Sequence, residues 1–295
     1  MTPSDYDYLR KLLKTRSGLT LSADKQYLVE SRLLPVARKT GAANLSALVA
    51  NLKMPNAEPL IVDVVEAMTT NESLFFRDKS PFEQFRDVVM PALIKSREAS
   101  RRIRIWCAAA ATGQEPYTIA IILKEMAKEL RDWRIEIVAT DLSTEVLEKA
   151  KSGIYSQFEV QRGLPVVTLI KYFSQVGEMW QIAPELRAMV QFKPLNLLND
   201  FSSLGTFDVV FCRNVLIYFD QETKIEVLQR MAAVVGSEGY LALGAAETVV
   251  GLTDAFKPMI DRRGFYVPNR PTGRKDDGPQ SSKVVQLKPR IAANA

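Results

Sequence analysis

The sequence contains no histidine and only two cysteines among its 295 residues. The lack of histidine excludes catalysis by a serine–histidine or cysteine–histidine pair, histidine general bases and histidine-containing metal sites. Two thiols are too few for a cysteine-rich zinc site, and Cys107 and Cys212 both lie in apolar runs typical of buried strands. We therefore expect two buried free thiols and a reaction that uses neither histidine nor a metal ion.

A long uninterrupted apolar run is also missing, at the N-terminus and inside the chain. No signal peptide or membrane span is predicted, and we expect a cytoplasmic protein without stable membrane insertion. The net charge is +5, but residues 268–295 hold six basic and two acidic side chains, so the rest is nearly neutral. A surface that coats nucleic acid is therefore not indicated, and residues 268–295 are predicted to form a disordered basic tail.

Residues 1–78 are predicted to form a helical N-terminal domain, because their apolar side chains recur at helical spacing. The predicted helices span 5–16, 22–39, 45–53 and 58–69. Lys25, Arg32 and Lys39 recur every seven residues of the second helix and so share one face. This basic face is either a solvated surface or a docking site for an acidic partner, and the sequence favours neither.

From residue 101 onward, short β-branched runs alternate with helical segments, which predicts an α/β fold with a doubly wound parallel sheet. The predicted strands span 103–107, 135–140, 190–193, 207–212, 240–243 and 264–267. The predicted helices span 115–130, 144–151 and 221–235. We assign this fold to a second domain, residues 79–267, in which residues 152–189 are too long for a plain connection and form an inserted small β-subdomain.

Ligands of such sheets bind beyond the carboxyl ends of the strands, and polar or small residues follow most strands here. Asp141 ends the second strand, where a carboxylate typically accepts hydrogen bonds from ribose hydroxyls. The first turn lacks the glycine-rich loops that hold phosphates and offers four alanines and Glu115 instead. A cationic nucleoside without phosphate, such as S-adenosylmethionine, fits this turn; the alternative is a plain tight turn in which Glu115 only starts a helix.

Four segments resemble the chemotaxis receptor methyltransferases of bacteria, the CheR family. Residues 69–78 read TTNESLFFRD and are similar to the family signature T-T-N-x-[ST]-x-F-F-R. Residues 111–117 read ATGQEPY, close to the family's T-G-E-E-P-Y, and residues 196–198 and 211–219 read NLL and FCRNVLIYF. The four segments stand in the family's order, so together they are far more specific than any one of them.

The resemblance implies an S-adenosylmethionine-dependent protein-glutamate O-methyltransferase that releases S-adenosylhomocysteine. It implies that the substrate is the cytoplasmic domain of methyl-accepting chemoreceptors, met transiently at membrane receptor arrays, and we expect a monomer. By the same resemblance Arg77 and Tyr218 face the methyl-transfer site, and the basic face of Lys25, Arg32 and Lys39 docks the acidic receptor helices. The implied cofactor contacts are Asn71, Ser73, Arg77, Glu115, Asp141, Asn196, Leu197, Asn214 and Val215.

A glutamate substrate needs no general base, because its side chain, with a pKa of about 4.3, is already anionic at neutral pH. Structural alternatives stay open for the two residues at the reacting centre. Tyr218 could be a half-buried aromatic that closes a strand, and Arg77 could be paired with Asp78 or another neighbour. In the inserted β-subdomain, Arg162–Gly163 and the edge strands around them could also add a receptor peptide by strand pairing.

Two departures from the family pattern bear on activity. Gln114 replaces the first glutamate of the usual pair, and Gly244–Ala245–Ala246–Glu247 stands where Gly-His-Ser-Glu is common. The second departure leaves open a non-catalytic signalling module that binds S-adenosylmethionine without turnover. A nucleic-acid methyltransferase is a weaker alternative, since the nearly neutral core lacks the broad basic surface and the Asn/Asp-Pro-Pro-Tyr pocket such enzymes use.

Overall fold

A computed structural model describes residues 1–269, and the predicted tail from residue 270 onward lies outside the described residues. The chain begins with four helices around one apolar core: α1 (Pro3–Ser17), α2 (Gln26–Lys39), α3 (Leu45–Leu52) and α4 (Glu58–Met68). Each of the four predicted helices is present. The second starts later than predicted, because Ala23–Lys25 form a separate 3-10 turn before α2.

The next segment leads into a seven-stranded sheet through α5 (Ser80–Gln84), a π-helical turn (Phe85–Val89) and α6 (Met90–Ser96). The strands are β1 (Arg102–Ala108), β2 (Arg134–Asp141), β6 (Val190–Pro194), β7 (Phe207–Cys212), β8 (Val235–Leu243), β9 (Phe256–Pro258) and β10 (Phe265–Pro268). Their order is β6-β2-β1-β7-β8-β10-β9, parallel from β6 to β8 and antiparallel at β10 and β9. This confirms the predicted doubly wound α/β fold.

Three helices connect the parallel strands: α7 (Gln114–Glu125), α8 (Thr144–Ser152) and α12 (Gln221–Val234). The predicted helix 115–130 is too long at its end. It stops at Glu125, and turns then carry the chain back to the start of β2. The strand β9 is missing from the prediction, because three residues that include a proline give no periodic signal.

The long insertion between α8 and β6 contains a second sheet of three antiparallel strands, in the order β3-β5-β4. Its elements are β3 (Ile154–Ser156), α9 (Gln157–Gln161), α10 (Val166–Tyr172), β4 (Phe173–Val176), β5 (Met179–Ile182) and α11 (Pro184–Arg187). The predicted small β-subdomain is therefore present, with three helices as well. Arg162–Gly163 form the turn after α9, and the edge strands of this small sheet are β3 and β4.

All parallel strands present their carboxyl ends at one edge, so the loops after β1, β2, β6, β7 and β8 gather there. The two cysteines lie deep in the strands that lead to this edge. Cys107 and Cys212 are buried and unbonded, as the apolar runs predicted. In the part of the chain that the structure describes, no helix is long and apolar enough to cross a membrane.

Candidate functional site

A cleft opens at the carboxyl edge of the sheet. The loops after four parallel strands form its floor, the end of α1 forms one wall, and residues 69–78, here called the signature segment, form another. All nine residues that the resemblance assigned to the cofactor line this one cleft, together with Tyr218. They are Asn71, Ser73, Arg77, Glu115, Asp141, Asn196, Leu197, Asn214 and Val215.

The loop after β1 reaches the cleft through a strained backbone. Ala109 and Ala111 have φ angles of 58° and 48°, in the left-handed region that non-glycine residues rarely adopt. The carboxylate of Asp141 holds this loop, because Oδ2 accepts a 2.8 Å hydrogen bond from the backbone N–H of Ala111. Its Oδ1 accepts from the N–H of Ser143 at 3.0 Å. Each oxygen keeps a lone pair, so Asp141 can still accept from a hydroxyl group in the cleft.

Burial raises the pKa of the Asp141 carboxyl group, while the backbone hydrogen bonds from Ser143 and Ala111 act in the opposite direction. Glu115, the second acid of the cleft, is largely buried, with 13% of its side chain exposed, and desolvation raises the pKa of its carboxyl group. Arg213 opposes that shift, because its Nη1 donates to Oε2 of Glu115 at 3.1 Å. Two buried carboxylates make the floor of the cleft suited to hydroxyl groups and to a cation, and hostile to phosphate.

The guanidinium of Arg213 also holds the signature segment in place. Its Nη2 donates to the backbone carbonyl of Arg77 at 3.1 Å and to Oδ2 of Asp78 at 2.7 Å. The Arg213 side chain is 1% exposed and that of Asp78 is 42% exposed, so a buried guanidinium makes a charge-assisted bond to a carboxylate at the surface. Sequence reasoning gave Arg213 no role, although an arginine directly after a buried strand and beside a cleft is a signal that could have revealed it.

The side chain of Arg77 faces the cleft from the signature segment. Its Nη1 donates to the backbone carbonyl of Glu72 at 3.2 Å. The alternative pairing of Arg77 with Asp78 is not what the structure shows, since Asp78 binds Arg213 instead. The guanidinium of Arg77 therefore keeps most of its donors for other acceptors in the cleft.

Tyr218 lies in a 3-10 turn, Leu216–Tyr218, within the loop of residues 213–220 that follows β7. The N-terminal helices brace this loop from outside. The backbone N–H of Thr20 donates to the carbonyl of Tyr218 at 2.9 Å, and Lys14 pairs with Asp220 at 2.6 Å. Gly18 lies against the ring of Phe219 so closely that an added Cβ would be 2.8 Å from it. The end of α1 thus fixes the backbone that carries Tyr218.

Asn196 uses its side chain to join the two parts of the chain. Its amide nitrogen donates to the carbonyl of Arg16 at 2.7 Å, and its amide oxygen accepts from the N–H of Leu198 at 3.0 Å. Any contact of Asn196 with a ligand therefore comes from its backbone, from its second amide N–H or from the remaining lone pair of its amide oxygen. Its neighbour Leu197 adds an apolar surface to the cleft.

Glu247 organises the opposite side of the floor. Its Oε2 accepts from the N–H groups of Gly244 and Asn214 at 2.7 and 2.8 Å. Its Oε1 accepts from those of Val215 and Ile217 at 2.9 and 3.3 Å. Four backbone donors on one carboxylate fix Asn214, which has a φ of 60°. Sequence reasoning noted Glu247 only as part of a departure from the family pattern and missed this role.

The predicted docking face of the N-terminal domain is only partly free. Arg32 is half-buried and donates to the carbonyls of Met68 and Thr69 and to the hydroxyl of Thr70 at 2.6 to 3.0 Å. It therefore holds the start of the signature segment, because three acceptors converge on its guanidinium. Lys25 lies in the 3-10 turn before α2, and Lys39 pairs with Asp63 at 3.3 Å. Lys25 therefore lies just before α2, and only Arg32 and Lys39 lie within it.

Comparison with known protein families gives two matches that together cover nearly all the described residues. Residues 71–265 match the CheR methyltransferase, SAM binding domain, and residues 4–69 match the CheR methyltransferase, all-alpha domain. Chemotaxis protein methyltransferase 1 of Pseudomonas aeruginosa is 42% identical over 86% of this chain and 93% of its own length. Chemotaxis protein methyltransferase Cher2 of Pseudomonas putida is 40% identical, over 86% of this chain and 93% of its own.

Proposed function

Because this chain belongs to the CheR methyltransferase family, whose cofactor is S-adenosylmethionine, we propose that it methylates glutamate side chains on the cytoplasmic helices of chemoreceptors. One observation carries the proposal. A single cleft brings an arginine and a tyrosine, Arg77 and Tyr218, together with the buried carboxylate of Asp141 and the largely buried carboxylate of Glu115. The methylation would serve adaptation in chemotaxis, with the protein in the cytoplasm and in transient contact with receptor arrays.

The donor set of the cleft fits S-adenosylmethionine. Glu115 suits the ammonium group of the cofactor and Asp141 suits its ribose hydroxyls, because both are buried acceptors. Arg213 offers a further test of fit, since its buried Nε has no hydrogen-bond partner among the described residues. The carboxylate of bound S-adenosylmethionine would supply the hydrogen-bond acceptor that this nitrogen lacks. Leu197 and Val215 give apolar contact to a purine ring.

S-adenosylmethionine supplies an electrophilic methyl group on a sulfonium. Arg77 and Tyr218 would hold the receptor glutamate in line with that methyl group, so that the methyl ester forms and S-adenosylhomocysteine leaves with the electron pair of the broken C–S bond. No proton moves in this step, which explains why a chain without histidine can perform it. The task of the protein is in-line positioning, an effect that can supply roughly 7–11 kcal/mol.

Arg77 and Tyr218 are the residues proposed to orient the reacting groups. Arg77 can align the substrate carboxylate, because only one of its donors is used by Glu72 in the structure. This interaction between Arg77 and the substrate carboxylate has to stay weak, since a strong bidentate ion pair would lower the nucleophilicity of the carboxylate. Tyr218 can donate one orienting hydrogen bond from its hydroxyl group, while Thr20 holds its backbone.

The acidic receptor helices would first meet the N-terminal domain. Lys25 and Lys39 remain available for this contact, and Lys39 would exchange its exposed partner Asp63 for a receptor carboxylate. Three hydrogen bonds already occupy the guanidinium of Arg32, so it offers only its remaining N–H donors to this surface. Such electrostatic steering weakens as the salt concentration rises. In this proposal the enzyme acts as a monomer and no nucleic acid takes part.

The direct test is transfer of radiolabelled methyl groups from S-adenosylmethionine to chemoreceptor-containing membranes. We expect base-labile label on the receptor, typical of a carboxylic ester, and its loss in Arg77→Ala. Arg102→Ala is the matched control, because Arg102 is an exposed, ion-paired arginine at the opposite edge of the sheet. Cofactor binding without any labelled protein would instead support the non-catalytic signalling module.

A further inference from the structure

A pair of opposite charges lies at the mouth of the cleft, next to the residues proposed to bind the cofactor and to orient the reacting groups. Arg162 of the inserted subdomain donates from Nη2 to Oε1 of Glu72 in the signature segment at 2.5 Å. Glu72 lines the cleft, and both Arg162 and Arg77 lower the pKa of its carboxyl group. The mouth therefore holds one carboxylate between two guanidinium groups.

The backbone of this pair is rigid, although its side chains are exposed. Gly163, next to Arg162, lies so close to the signature segment that an added Cβ would be 2.1 Å from the carbonyl oxygen of Phe75. The ring of Phe75 packs edge-on against Tyr155 and Phe173 of the subdomain, at 5.0 and 5.5 Å. The subdomain and the signature segment are thus locked together, and Arg162 has a fixed position beside the cleft.

The ion pair itself is easy to exchange. The side chains of Arg162 and Glu72 are 36% and 62% exposed, and an ion pair this open to water contributes little to stability. The ring of Phe158 supports the Arg162 guanidinium at 5.1 Å, so the cation stays in place when its partner changes. A carboxylate on an approaching substrate can therefore replace Glu72 without cost to the fold.

We infer that Arg162 is a substrate-binding residue that pairs with an acidic side chain of the substrate helix near the methylated glutamate. Until the substrate binds, Glu72 occupies the position of that acidic side chain. The inference rests on the proposed function, since it requires an acidic helical substrate. Without Arg162, Glu72 would present an uncompensated negative charge to that substrate. Arg162 thus both attracts the acidic helix and neutralises the carboxylate that would repel it.

The test is the steady-state kinetics of methyl transfer to receptor, with Arg162→Gln, Glu72→Gln, the double variant and the control Arg102→Ala. We expect Arg162→Gln to raise the KM for receptor about 10-fold or more, as loss of a charge-assisted hydrogen bond implies. Cofactor affinity by calorimetry and the melting temperature should stay at wild-type values. Glu72→Gln should lower the KM for receptor by up to about fivefold, because Arg162 is then free.

The double variant separates substrate binding from simple neutralisation. If Arg162 binds the substrate, the KM of the double variant stays well above that of Glu72→Gln alone. A double variant with the same KM as Glu72→Gln alone would overturn the inference, as would an Arg162→Gln enzyme that behaves like Arg102→Ala. If the wild-type enzyme labels no receptor at all, the proposed function fails, and this inference fails with it.

Discussion

The guanidinium of Arg213 lies 3.1 Å from the carboxylate of Glu115, in the floor of the cleft at the carboxyl edge of the sheet. From there the same guanidinium reaches Asp78 and the backbone of Arg77. The acid proposed for the cofactor ammonium and the arginine proposed for the substrate carboxylate are therefore positioned by one buried cation. Arg213 thus links the residue proposed to bind the cofactor to the residue proposed to orient the substrate.

Replacement of Arg213 by methionine removes this cation while keeping much of the side-chain volume. Glu115 is then left buried without its partner, which we expect to lower the free energy of unfolding by about 3–5 kcal/mol. The turnover rate should also fall, because Asp78 and Arg77 lose their anchor. Urea unfolding and single-turnover methyl transfer measure the two effects. A variant within about 1 kcal/mol of the wild type would contradict the role given to Arg213.

Glu247→Gln tests the carboxylate that accepts four backbone hydrogen bonds. An amide keeps one acceptor oxygen and directs an NH₂ group at two N–H donors, so we expect a loss of about 2–4 kcal/mol of stability. The affinity for S-adenosylmethionine should fall as well, because Asn214 and Val215 lose their support. Calorimetry gives that affinity. Glu238→Gln is the control, since Glu238 is exposed, and equal effects of the two variants would refute the prediction.

Gly163→Ala tests the contact that locks the inserted subdomain to the signature segment. The added methyl group would be 2.1 Å from the carbonyl oxygen of Phe75, so the two segments have to separate. Gly177→Ala is a matched control, because Gly177 also has a positive φ, of 62°, but has nothing within 4 Å of its added Cβ. We expect the control to cost about 1 kcal/mol and Gly163→Ala to cost clearly more in thermal unfolding.

The ion pair between Lys14 and Asp220 gives a prediction about pH. Hydrogen bonds from Lys14 and Thr223 lower the pKa of Asp220 to about 2 in the folded protein. A carboxyl group with a lowered folded pKa stabilises the fold above its unfolded value, about 3.9, and loses that effect as the pH falls through the folded value.

Asp220→Asn keeps the helix cap of α12 and removes only the charge. We therefore expect the wild type to be more stable than Asp220→Asn at pH 7, and the difference to shrink between pH 5 and about pH 2. Melting temperatures across this range test the prediction. A difference that grows toward low pH would contradict it.

The sequence predicted the fold well because its signals are local. Apolar runs such as FDVVFC identify β7, and helical periodicity identifies α1 to α4. The errors fall where local signals are weak or where distant contacts decide. Three residues are too few to identify β9, and no periodicity predicts that α7 stops at Glu125.

The same distinction separates the parts of the site that could be predicted from those that could not. Asp141 and Glu115 lie at or after strand ends at the carboxyl edge of the sheet. Their position and charge led to the prediction that they bind a cationic nucleoside. The contacts of Arg32 with Met68 and of Asn196 with Arg16 join residues far apart in the chain. A heptad spacing therefore placed Arg32 on a docking surface, although its guanidinium holds the signature segment.

The most direct test of the central claim is mass-spectrometric mapping of a purified chemoreceptor cytoplasmic domain after incubation with the enzyme and S-adenosylmethionine. We predict methyl esters on glutamate side chains of helical receptor peptides, their absence with Arg77→Ala, and their loss where those glutamates are replaced by glutamine. An enzyme that binds the cofactor in calorimetry but leaves every receptor glutamate unmodified would contradict the account.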